Sequence, residues 1–177
     1  MQDQNSSDQP QIQLAPSAES PKSDPVLIEA LSAIRQRQLA IGSHLRLNRR
    51  RLHKALKRLG ATSVVVSYSG SGDSGQIDEV SVYRNKEQIK SQENVSILVA
   101  SSKWSEDDGW IERVKSTPLA LEAALEQFVY DWIESEHSGW ENNDGASGEC
   151  TIEVASNEFI LSHVTYYTES ESTEHVL

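Results

Sequence analysis

Cysteine is nearly absent from the 177 residues, and Met, Phe and Pro are sparse: one Cys, one Met, two Phe and five Pro. A lone Cys150 excludes an intramolecular disulfide and any cysteine-rich zinc site, which agrees with a reducing compartment. Cys150 falls in a strand-like run and reads as a small core residue rather than a nucleophile. Long apolar runs are missing too. A secretory signal needs roughly 7 to 15 apolar residues behind a basic start and a membrane span about 20, and neither occurs in the sequence. A soluble, cytoplasmic protein without membrane contact is therefore expected.

Large apolar side chains are scarce in residues 1–24, "MQDQNSSDQPQIQLAPSAESPKSD", where Gln, Ser, Pro and Asp dominate. Such a segment cannot bury enough surface to offset its ordering entropy and reads as a disordered lead. Acids are missing from Ile34 to Arg58, which hold nine Lys or Arg residues, whereas Leu59 to Leu177 hold 22 acids against six bases. The net charge of −11 thus hides a basic block joined to a strongly acidic domain.

What is present reads as an α+β domain. Residues 25–47 form a helical N-terminal segment, with Leu27, Ala30, Leu31 and Ile34 at helical spacing. In "NRRRLHKALKRLG", Leu52, Ala55, Leu56 and Leu59 make an apolar face and leave Arg49, Arg50, Arg51, Lys54, Lys57 and Arg58 around the rest, with Gly60 as the stop. "TSVVVSY" and "QIDEVSVYR" read as antiparallel strands joined by a glycine-rich loop, and "NVSILVA" as a third strand. The segment "SSKWSEDDGWIERVKS" is polar and turn-rich, although Trp104 and Trp110 suggest a tether. Thr117 as N-cap and Pro118 as first helical residue open a helix striped by Leu121, Ala124, Leu125, Phe128, Val129 and Trp132. "ECTIEVA" and "EFILSHVT" close the chain as a hairpin turned at Ser156-Asn157. The expected architecture is an antiparallel sheet of about five strands covered by helices, with residues 48–177 as the compact domain. Its core is predicted to hold Val64, Val66, Ile77, Val80, Leu121, Leu125, Phe128, Val129, Trp132, Ile152, Val154 and Ile160.

Gly72-Asp73-Ser74-Gly75 repeats the four letters around the nucleophile of chymotrypsin-like proteases, but the chemistry needs a base and an orienting carboxylate. Of the five histidines only His137 lies on a loop that could approach Ser74, and the chain is too short for two β-barrels. The stretch from Ser69 to Gly75 is better explained as a hairpin connection in which glycines take positive φ. A phosphate cradle is disfavoured because the loop joins two strands and no Lys follows it. In the second loop, Gly139 to Glu149, Asn143-Asp144-Gly145 favours a tight turn and Trp140 reads as a hydrophobic plug. The ligand spacing of an EF-hand is not met. If both loops fall at one end of the sheet, Asp73, Glu141 and Asp144 could converge on a divalent metal. No cofactor is expected otherwise, and no catalytic constellation is recognisable.

The combination of "VVVSYSGSGDSGQIDEV", "LEQFVYDWIESEHSGWENNDGASGECTIEV" and the terminal "TYYTESESTEH" resembles an uncharacterised family of small bacterial proteins, classed only as a domain of unknown function. The resemblance spans about Asn48 to His175. It implies that Gly72, Asp73, Ser74, Gly75, Gln76 and Ile77, with Gly139, Trp140, Glu141, Gly145 and Gly148, occupy recurrent positions. An accessory or defence role among mobile genetic elements is implied as well. The chain departs from the pattern in its first 47 residues and its basic helix, where a specialised partner could be met.

Three functions follow as expectations. The first is a non-catalytic subunit that docks on a larger protein, through the basic segment or through the loop end carrying Asp73, Ser74, Gln76, Trp140, Glu141, Asn143 and Asp144. The second is a metal-dependent phosphoester enzyme using Asp73, Glu141 and Asp144. The third is a nucleic-acid factor using the basic helix against phosphate, or an acidic nucleic-acid mimic. The apolar faces of the N-terminal helices would also allow a homo-oligomer. The first expectation leads.

Overall fold

The computed structural model describes residues 25–105 and 109–177. The lead assigned to residues 1–24 lies outside the described residues. The order of elements is α1 (Pro25–Leu59), β1 (Ser63–Arg84), β2 (Glu87–Ile89), β3 (Asn94–Ser105), β4 (Gly109–Ala120), α2 (Leu121–Glu136), β5 (Asn142–Glu153) and β6 (Glu158–Thr165). The class is α+β. Four strands form an antiparallel sheet in the order β2-β1-β5-β6, and β3-β4 form a second, two-stranded sheet.

Drawn straight, the 22 residues of β1 would span about 70 Å. They double back instead. Ser69 Oγ donates to the Asp78 carboxylate at 3.0 Å, the Thr62 N–H donates to the Tyr83 carbonyl at 2.7 Å, and Gly70 lies against the Cα of Gly75. Gly72, at φ +74°, sits at the reversal. β1 is therefore two antiparallel arms, as the alternating apolar residues on either side of the glycine loop predict. The first arm pairs with β5 and the return arm with β2.

Three local readings need correction. The helix after Pro118 starts only at Leu121, because Thr117 to Ala120 are held in the β4 ladder, with Thr117 opposite Ile97 and Ala120 opposite Asn94. Ladder pairing on the edge of a two-stranded sheet tolerates the missing N–H of Pro118 and outweighs its preference for a helix start. The segment read as turn-rich is a hairpin, in which Trp104 stands opposite Trp110 in the register. The side chain of Trp110 lies outside the described residues. The first two helical readings merge into one helix, α1, of 35 residues, about 52 Å long.

α1 packs on α2 and β3, and its Leu52, Ala55 and Leu56 enter the core. Eight predicted core residues are buried: Val64, Val66, Leu121, Leu125, Phe128, Val129, Ile152 and Val154. Ile77, Val80 and Trp132 are partly buried against them. Ile160 is not a core residue, at 52% exposure. β6 alternates so that Phe159, Leu161 and His163 face inward and Ile160 outward. Three apolar residues in a row, Phe159 to Leu161, fit either phase of that alternation, and the pairing of Thr151 with Ile160 selects the outward one. Asn48, fully buried, donates from Nδ2 to the Leu98 carbonyl at 2.8 Å and accepts the Leu98 N–H at 2.7 Å. It thereby satisfies a backbone pair on the free side of β3.

Candidate functional site

The two glycine-rich loops meet. In the β1–β5 ladder, Gly72 pairs with Asn143 and Asp73 with Asn142, after a register shift between Gly70 and Gly72. The shift interrupts the regular ladder at the base of the tip. Asp73, Ser74 and Gln76 are exposed at this tip, as are Asn143 and Asp144 on the facing segment. Ser74 Oγ donates to Asp73 at 3.1 Å, and Gln76 Nε2 donates to Asp78 at 3.0 Å. With Ser69, Gly70, Ser71 and Gly75 the tip encloses a shallow polar hollow of about 270 Å³. Ser74 Oγ is hydrogen-bonded to Asp73, and the ring of His137 is stacked on His163.

Trp140 is the plug the sequence predicts, at 4% exposure, and the glycines are its seat. A Cβ on Gly70 would stand 2.8 Å from the indole, and one on Gly75 would fall inside its van der Waals surface at two ring carbons. On Gly145 a side chain would collide with the Gly70 carbonyl, and on Gly148 with the Ser162 carbonyl and the Tyr68 hydroxyl. Gly70, Gly75, Gly145 and Gly148 are thus explained by close packing of β1, β5, β6 and Trp140. Trp140 meets Tyr68 edge-on at 5.4 Å and Tyr130 at 6.1 Å. Among the described residues, Trp140 Nε1 and Glu141 Oε2, both buried, have no hydrogen-bond partner. Among the described residues, no three His, Cys, Asp or Glu side chains are placed to hold a metal ion. Asp73, Glu141 and Asp144 share a neighbourhood without forming a ligand set.

Behind Trp140 lies a group that the sequence reading overlooked. The hydroxyl of buried Tyr68 donates to the Ser162 carbonyl at 3.1 Å and lies 2.8 Å from His163 Nδ1. One hydroxyl proton serves these two contacts: with it on Ser162, Nδ1 donates to the phenol oxygen and the buried Nε2, which has no partner among the described residues, is an acceptor. His137, at the C-terminus of α2, stacks on His163 at 3.7 Å and 5°. Burial, and then the neighbouring His137, lower the pKa of His163 from its ordinary value. Burial, with Cys150 beside it, pushes the Tyr68 phenol up to about 12, and burial with Glu149 pushes the Cys150 thiol up to about 12. Tyr68, Cys150 and His163 are neutral at physiological pH, and with the His137 ring they link α2, β1 and β6. Period-two alternation was the available signal: Tyr68 continues the inward series of Val64 and Val66, and His163 that of Phe159 and Leu161.

The basic helix is largely turned to internal use. Arg49 donates to the Asn157 carbonyl and lies 4.9 Å over the Phe159 ring. Arg51 donates to the Ser96 carbonyl at 3.0 Å and to Ser116 Oγ at 3.2 Å, and Arg58 pairs with Glu93 at 3.4 Å. Arg50 returns to the Arg46 carbonyl of its own helix. Lys54 and Lys57 are exposed.

The helices cover one face of the main sheet. The residues of the first arm of β1, of β5 and of β6 that alternate away from them form cross-strand rows: Ser63, Glu153 and Glu158; Val65, Thr151 and Ile160; Ser67, Glu149 and Ser162; Ser69, Ser147 and Val164. Ile160 and Val164 are 52% and 54% exposed, and Tyr166 and Tyr167 beyond the strand 49% and 83%. Tyr166 bonds Ser147 Oγ through its hydroxyl at 2.6 Å. Among the described residues, β6 ends the sheet and pairs with β5 alone.

A family model described as a family of unknown function, DUF6878, matches residues 45–177, and the chain belongs to that family. No curated protein and no solved structure matches the chain. No helix among the described residues is long and apolar enough to cross a membrane.

Proposed function

We propose that this chain is a non-catalytic accessory subunit that docks on a larger protein through the uncovered face and free edge of its main sheet. One observation carries the reading. The sheet is packed by helices on one side, while the other side presents Ile160, Val164 and Tyr166 beside an edge strand that, among the described residues, pairs with β5 alone. An edge of eight residues, Glu158 to Thr165, with no Lys, Pro or bulge to guard it is a template for pairing with another chain. The glycine loops and the Trp140 plug serve this function by holding β1, β5 and β6 in a rigid register. We extend the proposal to an accessory role in a mobile-element or defence system, as the sequence resemblance implies.

Contact with nucleic acid through α1 has less support, because Arg49, Arg51 and Arg58 are engaged within the chain. A phosphoester enzyme has less still, since Asp73, Glu141 and Asp144 do not form a ligand set. The test is affinity isolation of the full chain from its native host, beside an Ile160→Asp/Val164→Asp variant of unchanged melting temperature. A stoichiometric partner held by the wild type and lost by the variant is the expected outcome. A partner held equally by both, or none above background, sinks the proposal.

A further inference from the structure

We infer that the occupant of the β6 edge is an extended, Lys- or Arg-bearing segment of the partner protein, added as a further strand of the main sheet. The inference rests on the docking reading above and adds the chemistry of what docks.

Charge decides among occupants. From Ser116 to Leu177 the chain carries 13 Asp or Glu residues and no Lys or Arg. This stretch supplies α2, β5, β6 and the exposed tail with Glu169, Glu171 and Glu174. Across the outer face, Glu153 stands directly opposite Glu158, both exposed. Like charges facing each other on a sheet are destabilising, and a cation on a strand added beside β6, next to Glu158, offsets that repulsion. Glu149 follows two residues along the same face of β5. A nucleic-acid backbone is repelled by this surface, and a second copy pairing edge to edge would bring two net-acidic faces together, although β6 itself carries one acid, Glu158. A cationic strand meets neither obstacle.

The pattern of β6 specifies the segment further. Ile160 and Val164 flank Ser162 on the outer face, so apolar contacts recur at every fourth residue with a polar position between them. A partner strand presenting β-branched or aromatic residues opposite Ile160 and Val164, and Lys or Arg toward Glu158 and Glu153, matches both rows. Backbone pairing supplies affinity in such strand addition, and alternate side chains supply specificity.

The probe is a library of random twelve-residue peptides displayed on phage, selected on the full chain. Selected peptides are then measured by fluorescence anisotropy, and their site is mapped by amide hydrogen exchange. Peptides enriched in Lys or Arg alternating with apolar residues are expected, with new protection at residues 158–165. Reversing two rim charges, Glu153→Lys/Glu158→Lys, should weaken their binding about tenfold at unchanged melting temperature. Raising the salt concentration should weaken it further.

Enrichment of neutral or acidic peptides at β6 would overturn the cationic occupant while leaving the docking reading standing. Protection on α1, or no enrichment at all, would remove β6 as the strand-addition site. Concentration-dependent dimers with β6 protected would assign the edge to a second copy. If the native isolation above yields no partner, the docking reading itself falls, whatever the peptides do.

Discussion

Gly75→Ala is the substitution that tests most directly how the two loops are held together. Gly75 has no positive φ, so alanine there imposes no backbone strain, yet its Cβ would overlap the Trp140 ring. To reach ordinary carbon contact the indole must retreat by about 1 Å. It has little room, being buried and wedged edge-on between Tyr68 and Tyr130. Overpacking of this kind costs about 1–3 kcal/mol, rising toward about 3–5 kcal/mol if the indole is expelled altogether. Gly72→Ala is the control. Gly72 has φ +74° and nothing within 4 Å of its would-be Cβ, so it meets only the left-handed penalty of about 1–2 kcal/mol. Urea unfolding at constant m measures both. The decisive measurement is the cycle with Trp140→Ala: Gly75→Ala should become nearly neutral once the indole is gone, a coupling of about 2 kcal/mol, whereas Gly72→Ala should add independently. Additivity of Gly75→Ala with Trp140→Ala would refute the seat for Trp140.

Because the pKa of His163 is lowered in the folded chain, the unfolded chain binds more protons near the ordinary histidine value of 6.5. The stabilisation from neutral His163 is complete above that value and is lost as the pH falls through it; a melting temperature that declines from pH 7.5 to 5, with a shallower decline in His163→Phe, checks the sign. Asn48→Leu removes both partners of Leu98 and leaves a backbone N–H and C=O unsatisfied, a cost of about 2–4 kcal/mol by chemical unfolding, with fast hydrogen exchange at Leu98 as the local signature. Ile160→Ser should change stability by less than about 0.5 kcal/mol, while Ile152→Ala in the adjacent strand should cost about 2–5 kcal/mol; equal effects would place Ile160 back in the core.

Sequence patterns by themselves determined the α+β class, the antiparallel glycine-loop hairpin, the amphipathic stripe of α2 and the terminal hairpin. Each is a local periodicity of apolar residues or a turn preference, and local patterns survive in the primary order. The strand that ends at Ala120 was not legible, because Thr117-Pro118 is an acceptable helix start on its own and loses only to pairing with residues near Asn94, more than 20 positions away. The orientation of Ile160 was ambiguous for the same reason: three consecutive apolar residues fit either phase until β5 selects one. That the two loops join was likewise a matter of strand order, since Gly72 and Asn143 are neighbours only because β1 and β5 pair. The basic helix was visible as charge, but its use on the Asn157 and Ser96 carbonyls depends on where β6 and β3 pass. Residue types thus set which elements form and which faces are apolar. Which faces stay uncovered, and hence where the proposed partner meets the chain, follows from long-range pairing that no local window contains.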